Sequence, residues 1–427
     1  MLTKLKNKKL LILIDQMLVS GSNFVLGILL ARYLGVEGYG QFALLWLIVL
    51  FFSSLQLAYI VSPMLTLGSK KSSFILDRYL STMIFLQVIF TAVAIISLYF
   101  FLEVAVFFDE KWDMGDLKIY ILFTTLFFLF QDFLRRYFII KTQYYKLVFI
   151  DVIAYLGQLG MLIYFIYNNS LDLSTALLAV AIPFLLALLV GYTQVTKVST
   201  HMQYKKLIFL KNWNFSRWLV YSAVIQWGSG NFFILAGGAI LGSWAVGVIR
   251  VMQNTMGIFQ VLFTVLDNIL PINFSKIYKQ DGYNGMMKYY NKHFKFGLVI
   301  FSLLSSVVYL FATELVTFVY GDEYTKYAYL LIGFVVLIPI VYTTMLQRYV
   351  LRTVEETKVI FTAYVSTTVF SLLSAYPLIK YFRIDGILIG MFIVQIIISF
   401  LFYRTIISMK QDLCVKLYDA KEYELSK

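Results

Sequence analysis

Twelve apolar runs divide this chain of 427 residues, each about as long as the roughly 20 residues a helix needs to cross a hydrocarbon core of about 30 Å. They fall at 10–31, 41–64, 79–101, 119–140, 147–167 and 175–196 in the first half. In the second half they fall at 218–241, 245–270, 294–320, 327–349, 359–380 and 384–407. No alternating ten-residue pattern of a membrane β-barrel is present, and an unpaired strand cannot face lipid, so every run is expected as an α-helix. Only 14% of residues are charged and 60% are hydrophobic, against about 25% charged in a soluble domain. The solvent for most of this surface must be lipid.

A net charge of +13 invites a nucleic-acid reading, but its distribution argues otherwise. Basic residues sit in short clusters between apolar runs rather than on one soluble face. Across the two sides of the membrane, Lys and Arg divide 29 against 6, and Arg250 lies inside a run. Because basic residues concentrate on the cytoplasmic side, both termini are expected in the cytoplasm. The stretch after Lys9 is too long for a cleaved signal and lacks a small-residue cleavage site, so it reads as the first span. The single cysteine, Cys414, excludes an internal disulfide framework and a thiolate zinc cluster. His201 and His293 lie far apart in basic loops, and no metal site is expected.

The two sets of six spans carry matching junctions. Leu34-Gly35-Val36-Glu37-Gly38-Tyr39-Gly40 joins spans one and two, and Leu241-Gly242-Ser243-Trp244-Ala245-Val246-Gly247 joins spans seven and eight. Leu and the first and last Gly coincide at an offset of 207 residues, and Pro63 and Pro271 follow at an offset of 208. Glycine allows a sharp reversal where a side chain would obstruct the turn. The expected organisation is a parallel repeat: a six-helix lobe at 1–200, a cytoplasmic linker at 201–217 and a second six-helix lobe at 218–427.

Ionisable and amide side chains inside spans are costly in lipid, so they usually face a cavity or a partner. Arg250, Gln253, Asn254 and Gly257 share one face of span eight. Gln16, Ser20, Asn23 and Gly27 form a stripe on span one, and Ser222, Gln226 and Ser229 form one on span seven. Such stripes either line a cavity or glue helices together. Asp15 in span one and Asp267 in span eight are positioned to pair with basic neighbours, and Asp15 is the candidate for ion coupling. Asp132, Arg135 and Arg136 are spaced for a local ion pair on span four. Arg348 and Arg352 read as anchors, and Arg32 either anchors span one or holds Glu37.

The segment LLARYLGVEGYGQFALLW at 29–46 resembles the junction of spans one and two in bacterial polysaccharide transporters. These are the O-antigen, or repeat-unit, flippases of the multidrug/oligosaccharidyl-lipid/polysaccharide exporter superfamily. The basic N-terminus, the twelve spans and the repeat extend the resemblance over nearly the whole chain. It implies a V-shaped all-α membrane fold of two lobes, with helices 1, 2, 7 and 8 lining a central cavity. It also implies transfer of an undecaprenyl-diphosphate-linked oligosaccharide between leaflets of the bacterial cytoplasmic membrane by alternating access. The candidate partners, beside that lipid-linked glycan, are membrane lipids, a monovalent cation or proton, and polysaccharide polymerase machinery. Arg250, Gln253, Asn254, Gln16, Asn23, Gln226 and Arg32 are the candidate substrate-binding residues. No cofactor or nucleic-acid partner is expected. No P-loop, paired-histidine zinc motif or nucleophile elbow occurs, so a transporter is expected rather than an enzyme. The alternative is a small-molecule or drug antiporter of the same superfamily; a membrane glycosyl polymerase would need a large external loop, which the spacing does not leave.

Overall fold

The computed structural model describes residues 2–108, 115–195 and 205–425. His201 and the side chain of Cys414 lie outside the described residues, as does the middle of the longest expected external loop. Among the described residues, nine helices are long and apolar enough to cross a membrane. Three of these run 52 to 59 residues, and each contains a break that divides it into two crossings. The breaks are at Gly35 (φ 70°), Gly282 (φ 65°) and Arg383 (φ 51°). Twelve helical crossings result, matching the apolar runs.

The chain forms two compact units, Met1–Trp227 and Gly228–Lys427. The first contains α1 (Leu2–Gln56), α2 (Ser62–Gly68), α3 (Ser73–Phe108), α4 (Leu117–Ile140), α5 (Tyr144–Asp151), α6 (Gly157–Tyr167), α7 (Leu173–Thr193) and the start of α8 (Lys205–Leu241). Single π-helical turns, Leu57–Val61 and Val152–Leu156, join α1 to α2 and α5 to α6. The second unit continues α8 and adds α9 (Ser243–Thr255), α10 (Gly257–Leu310), α11 (Ala312–Tyr320), α12 (Asp322–Thr325), α13 (Leu331–Thr353) and α14 (Thr357–Leu425). The described part of the expected 201–217 linker is helical, forming the first turns of α8.

Backbone geometry carries the repeat further than residue identity does. Gly35 and Gly242 both take the left-handed φ that glycine tolerates without a Cβ clash, at 70° and 103°. The Trp244 indole nitrogen donates to the Leu241 carbonyl at 2.7 Å, closing the second of these turns. The other positive-φ residues also fall at matching junctions: Gly115 with Gly321, Thr142 with Glu355 and Asn169 with Arg383. Their offsets are 206, 213 and 214 residues. Only Gly282 lacks a counterpart among the described residues.

Span eight departs from the expected continuous helix. It breaks at Met256 (φ −78°, ψ 3°), between α9 and α10. The Thr255 hydroxyl donates to the Val251 carbonyl at 2.8 Å, competing with the helical ladder, and Gly257 follows with weak helix propensity. The stripe on this span therefore ends at Asn254, and Gly257 begins a new helix. Span nine is interrupted similarly at Phe311, between α10 and α11.

Candidate functional site

A polar grouping centred on an arginine lies within the spans of each unit. In the first, α1, α4 and α5 converge on Arg135, of which only 8% is exposed. Its Nε donates to Asp151 Oδ2 at 2.7 Å, and a terminal nitrogen donates to Asp15 Oδ2 at 3.1 Å. The other terminal nitrogen lies 3.8 Å from Asp132 Oδ1, one helical turn away on α4. Arg136 reaches the same Asp132 oxygen at 3.4 Å. Asp15 and Asp151 are buried, Asp151 completely. Gln131 Nε2 donates to Asp151 Oδ1 at 2.8 Å, and the Arg135 guanidinium lies 5.6 Å from the ring centre of Tyr155.

Local helix geometry builds this arrangement. Gln131 and Arg135 are four residues apart and share a face of α4. Asp151 ends α5 at the π turn, and Tyr155 within that turn lies against the guanidinium. Such turns are frequent at functional positions. The group holds three carboxylates, Asp15, Asp132 and Asp151, against two guanidiniums, Arg135 and Arg136, a formal charge of −1 when all are ionised. Asp15 Oδ1 and Gln131 Oε1 are buried without a hydrogen-bond partner. Two helical turns beyond Asp15 and Asp151, buried Gln158 donates to Asn23 at 3.3 Å, and its own Oε1 also lacks a partner. Polar atoms thus continue from the cluster along the facing sides of α1 and α6. Among the described residues no set of three or more His, Cys, Asp or Glu side chains is arranged to hold a metal ion.

In the second unit, Arg250 lies half-buried on α9. One terminal nitrogen donates to Gln253 Oε1 at 2.7 Å and the other to Asn231 Oδ1 on α8 at 3.3 Å. Asn254 Nδ2 donates to the Tyr320 hydroxyl on α11 at 3.2 Å. Two amides therefore orient the guanidinium, and a third amide lies one residue beyond Gln253.

The remaining expected residues are more dispersed. Gln16 is exposed and bonds locally to Ser20 at 3.1 Å; Gln226 and Arg32 are also exposed. Ser229 is buried against Thr367 at 2.7 Å, a packing contact between α8 and α14 rather than part of an open face. Asp267 accepts from the Tyr349 hydroxyl and lies 3.9 Å from Arg348, so it has the basic neighbour its position suggested. The sequence reading missed Asp151, Gln131, Gln158 and Asn231. Asp151 had a usable signal, a carboxylate four residues inside an apolar run.

No protein-family model matches the sequence, and no curated protein matches it. Solved structures do match. An inward-facing multidrug resistance MATE family transporter of the MOP superfamily superposes with a TM-score of 0.69 at 14% identity, covering 93% of this chain and 96% of its own. The lipid II flippase MurJ, in an inward closed conformation, gives 0.70 at 14% identity, covering 92% of this chain and 86% of its own. A variant of the Vibrio cholerae MATE transporter VcmN gives 0.64 at 15% identity, covering 96% and 99%. At such identities the likeness is one of fold. This chain is an all-helical membrane protein with the twelve-helix, two-lobe exporter fold of the MATE and MurJ transporters.

Proposed function

We propose that the chain is a transporter that moves an undecaprenyl-diphosphate-linked oligosaccharide across the bacterial cytoplasmic membrane by alternating access. The observation that carries this reading is Arg250, a permanent cation inside a span, oriented by Asn231 and Gln253. A guanidinium fork matches two phosphate oxygens, and charge-assisted hydrogen bonds are about twice as strong as neutral ones. Amides and hydroxyls beside it can replace part of a sugar's hydration. The charge bias supports cytoplasmic termini, and loading would then occur from the basic side.

The cluster around Arg135 supplies the coupling site. A buried group with one excess negative charge is strongly driven to take up one positive charge. The guanidinium already occupies the space between Asp15 and Asp151, which leaves room for a proton more readily than for a metal ion. Proton uptake by this carboxylate pair would neutralise the group and bias the first unit between two packings. Asp15, Asp132, Asp151, Arg135 and Arg136 are the charged groups of this cluster, with Tyr155 packed against it.

A second reading, a small-molecule antiporter, is favoured by the MATE-like fold. Purified protein in sealed proteoliposomes separates the two. Equilibration of a fluorescent polyprenyl-diphosphate oligosaccharide between leaflets, with no uptake of a cationic dye, supports the flippase; dye uptake with no lipid movement supports the antiporter.

A further inference from the structure

A pocket in the second unit has the chemistry of a carbohydrate site. It has a volume of about 520 Å³ and lies between α10, α13 and α14, toward the end that carries the α13–α14 turn. Each helix contributes a pair of side chains four residues apart: Tyr290 and Phe294, Thr343 and Gln347, Ser399 and Tyr403. Residues at that spacing stand one above the other on a helix, so three ladders face one space.

Two properties select the ligand. None of the described residues lining the pocket carries a formal charge. A phosphate or a carboxylate would find no counter-ion there, and a cation no carboxylate, while a purely apolar chain would leave amide and hydroxyl groups desolvated without compensation. The polar groups are also held in place. Gln347 is only 2% exposed, and the Ser399 hydroxyl donates to its Oε1 at 3.2 Å. Tyr290 and Phe294 stack with ring centres 5.9 Å apart and planes 13° apart, while Tyr403 stands exposed at the rim. Flat aromatic faces beside fixed neutral donors and acceptors suit a sugar ring, whose C–H face is apolar and whose edge is all hydroxyls. The volume falls within the ordinary range for small-ligand sites.

We propose that this pocket binds an uncharged sugar residue, resting on the reading that the substrate is a lipid-linked glycan. It would serve as a glycan subsite apart from the residues that hold the diphosphate. The sugar could reach it on a polyprenyl-linked glycan or on another membrane glycolipid, and both present the same ring.

The test uses full-length protein in sugar-free lipid nanodiscs and saturation-transfer NMR. The probes are the methyl glycosides of glucose, galactose, rhamnose and N-acetylglucosamine, with methyl glucuronide as the charged comparison. Wild type should give signal from at least one neutral glycoside and less from the glucuronide. Gln347→Leu should weaken that affinity about tenfold, the loss of a buried hydrogen-bonding amide. Tyr403→Ala, at the exposed rim, should weaken it without perturbing folding, and Arg250→Ala should leave it unchanged. No signal from any neutral glycoside overturns the proposal, as does equal signal in all variants or a signal lost only in Arg250→Ala. Adding unlabelled polyprenyl-linked glycan or a simple glucosyl lipid as competitor identifies the source of the sugar. Lipid movement in proteoliposomes without glycoside signal removes the pocket and leaves the transporter; glycoside signal abolished by Gln347→Leu without lipid movement does the reverse.

Discussion

Arg135 Nε donates to Asp151 Oδ2 at 2.7 Å, tying α4 to α5 through a carboxylate that has no exposed surface. A buried ion pair gives its partners little net stability, but breaking one strands the other charge. Arg135→Met should therefore destabilise the protein by about 3–5 kcal/mol, since it leaves Asp15 and Asp151 buried without their guanidinium. Asp151→Asn should cost less, because Arg135 keeps Asp15 and Asp132. Thermal unfolding in nanodiscs measures the order; an equal loss for both would mean that Arg135 is not the hub.

Asp15→Asn leaves two carboxylates against two guanidiniums, which removes the excess charge that would take up a proton. Transport in proteoliposomes should lose its response to an imposed pH gradient while movement at equal pH persists. Asp77→Asn is the control: Asp77 pairs with Lys141 away from the cluster, and the gradient response should survive. A normal response in the Asp15 variant would assign coupling elsewhere.

Much of the fold was legible because lipid punishes unpaired backbone, and that forces long apolar runs into the sequence. The Gly35 and Gly242 turns were legible for a similar reason, since only glycine adopts their φ freely. Thr142, Glu355, Asn169 and Arg383 also take a positive φ without being glycine, so their part in the repeat could be seen only in the backbone. Spacing along α4 indicated that Asp132, Arg135 and Arg136 would pair locally. It could not indicate that Arg135 reaches 120 residues back to Asp15, because helix spacing encodes neighbours on one helix alone. The break at Met256 was equally hidden, because Thr255 gives no signal of its own: Thr124 and Thr264 make the same hydroxyl-to-carbonyl bond inside unbroken helices.

Gly242→Ala places a Cβ at φ 103° and should destabilise the second unit by about 1–2 kcal/mol. Gly230→Ala, on α8 with nothing near the added carbon, should be neutral or mildly stabilising. Chemical denaturation of the two variants beside wild type decides it, and equal midpoints would contradict the strained turn.

Orientation is checked with a reporter active only outside the cytoplasm. Fusions after Asp172 or Asp322 should be active, and fusions after Gln203 or Asp281 silent. A reversed pattern at Asp322 and Asp281 alone would mean that the crossings between the two pairs are miscounted.

Arg250 carries the central claim, that a fixed cation in α9 receives the substrate's diphosphate. The most direct measurement is surface polysaccharide in strains carrying Arg250→Ala, Arg250→Lys or Arg32→Ala at native expression, with membrane levels of each protein matched. The account predicts that Arg250→Ala loses export and accumulates lipid-linked oligosaccharide. Arg250→Lys should keep part of it, since a point charge attracts phosphate without the fork, and Arg32→Ala should be mild. Normal export from the Arg250→Ala strain would contradict the account and leave Arg250 as a side chain that only anchors its helix.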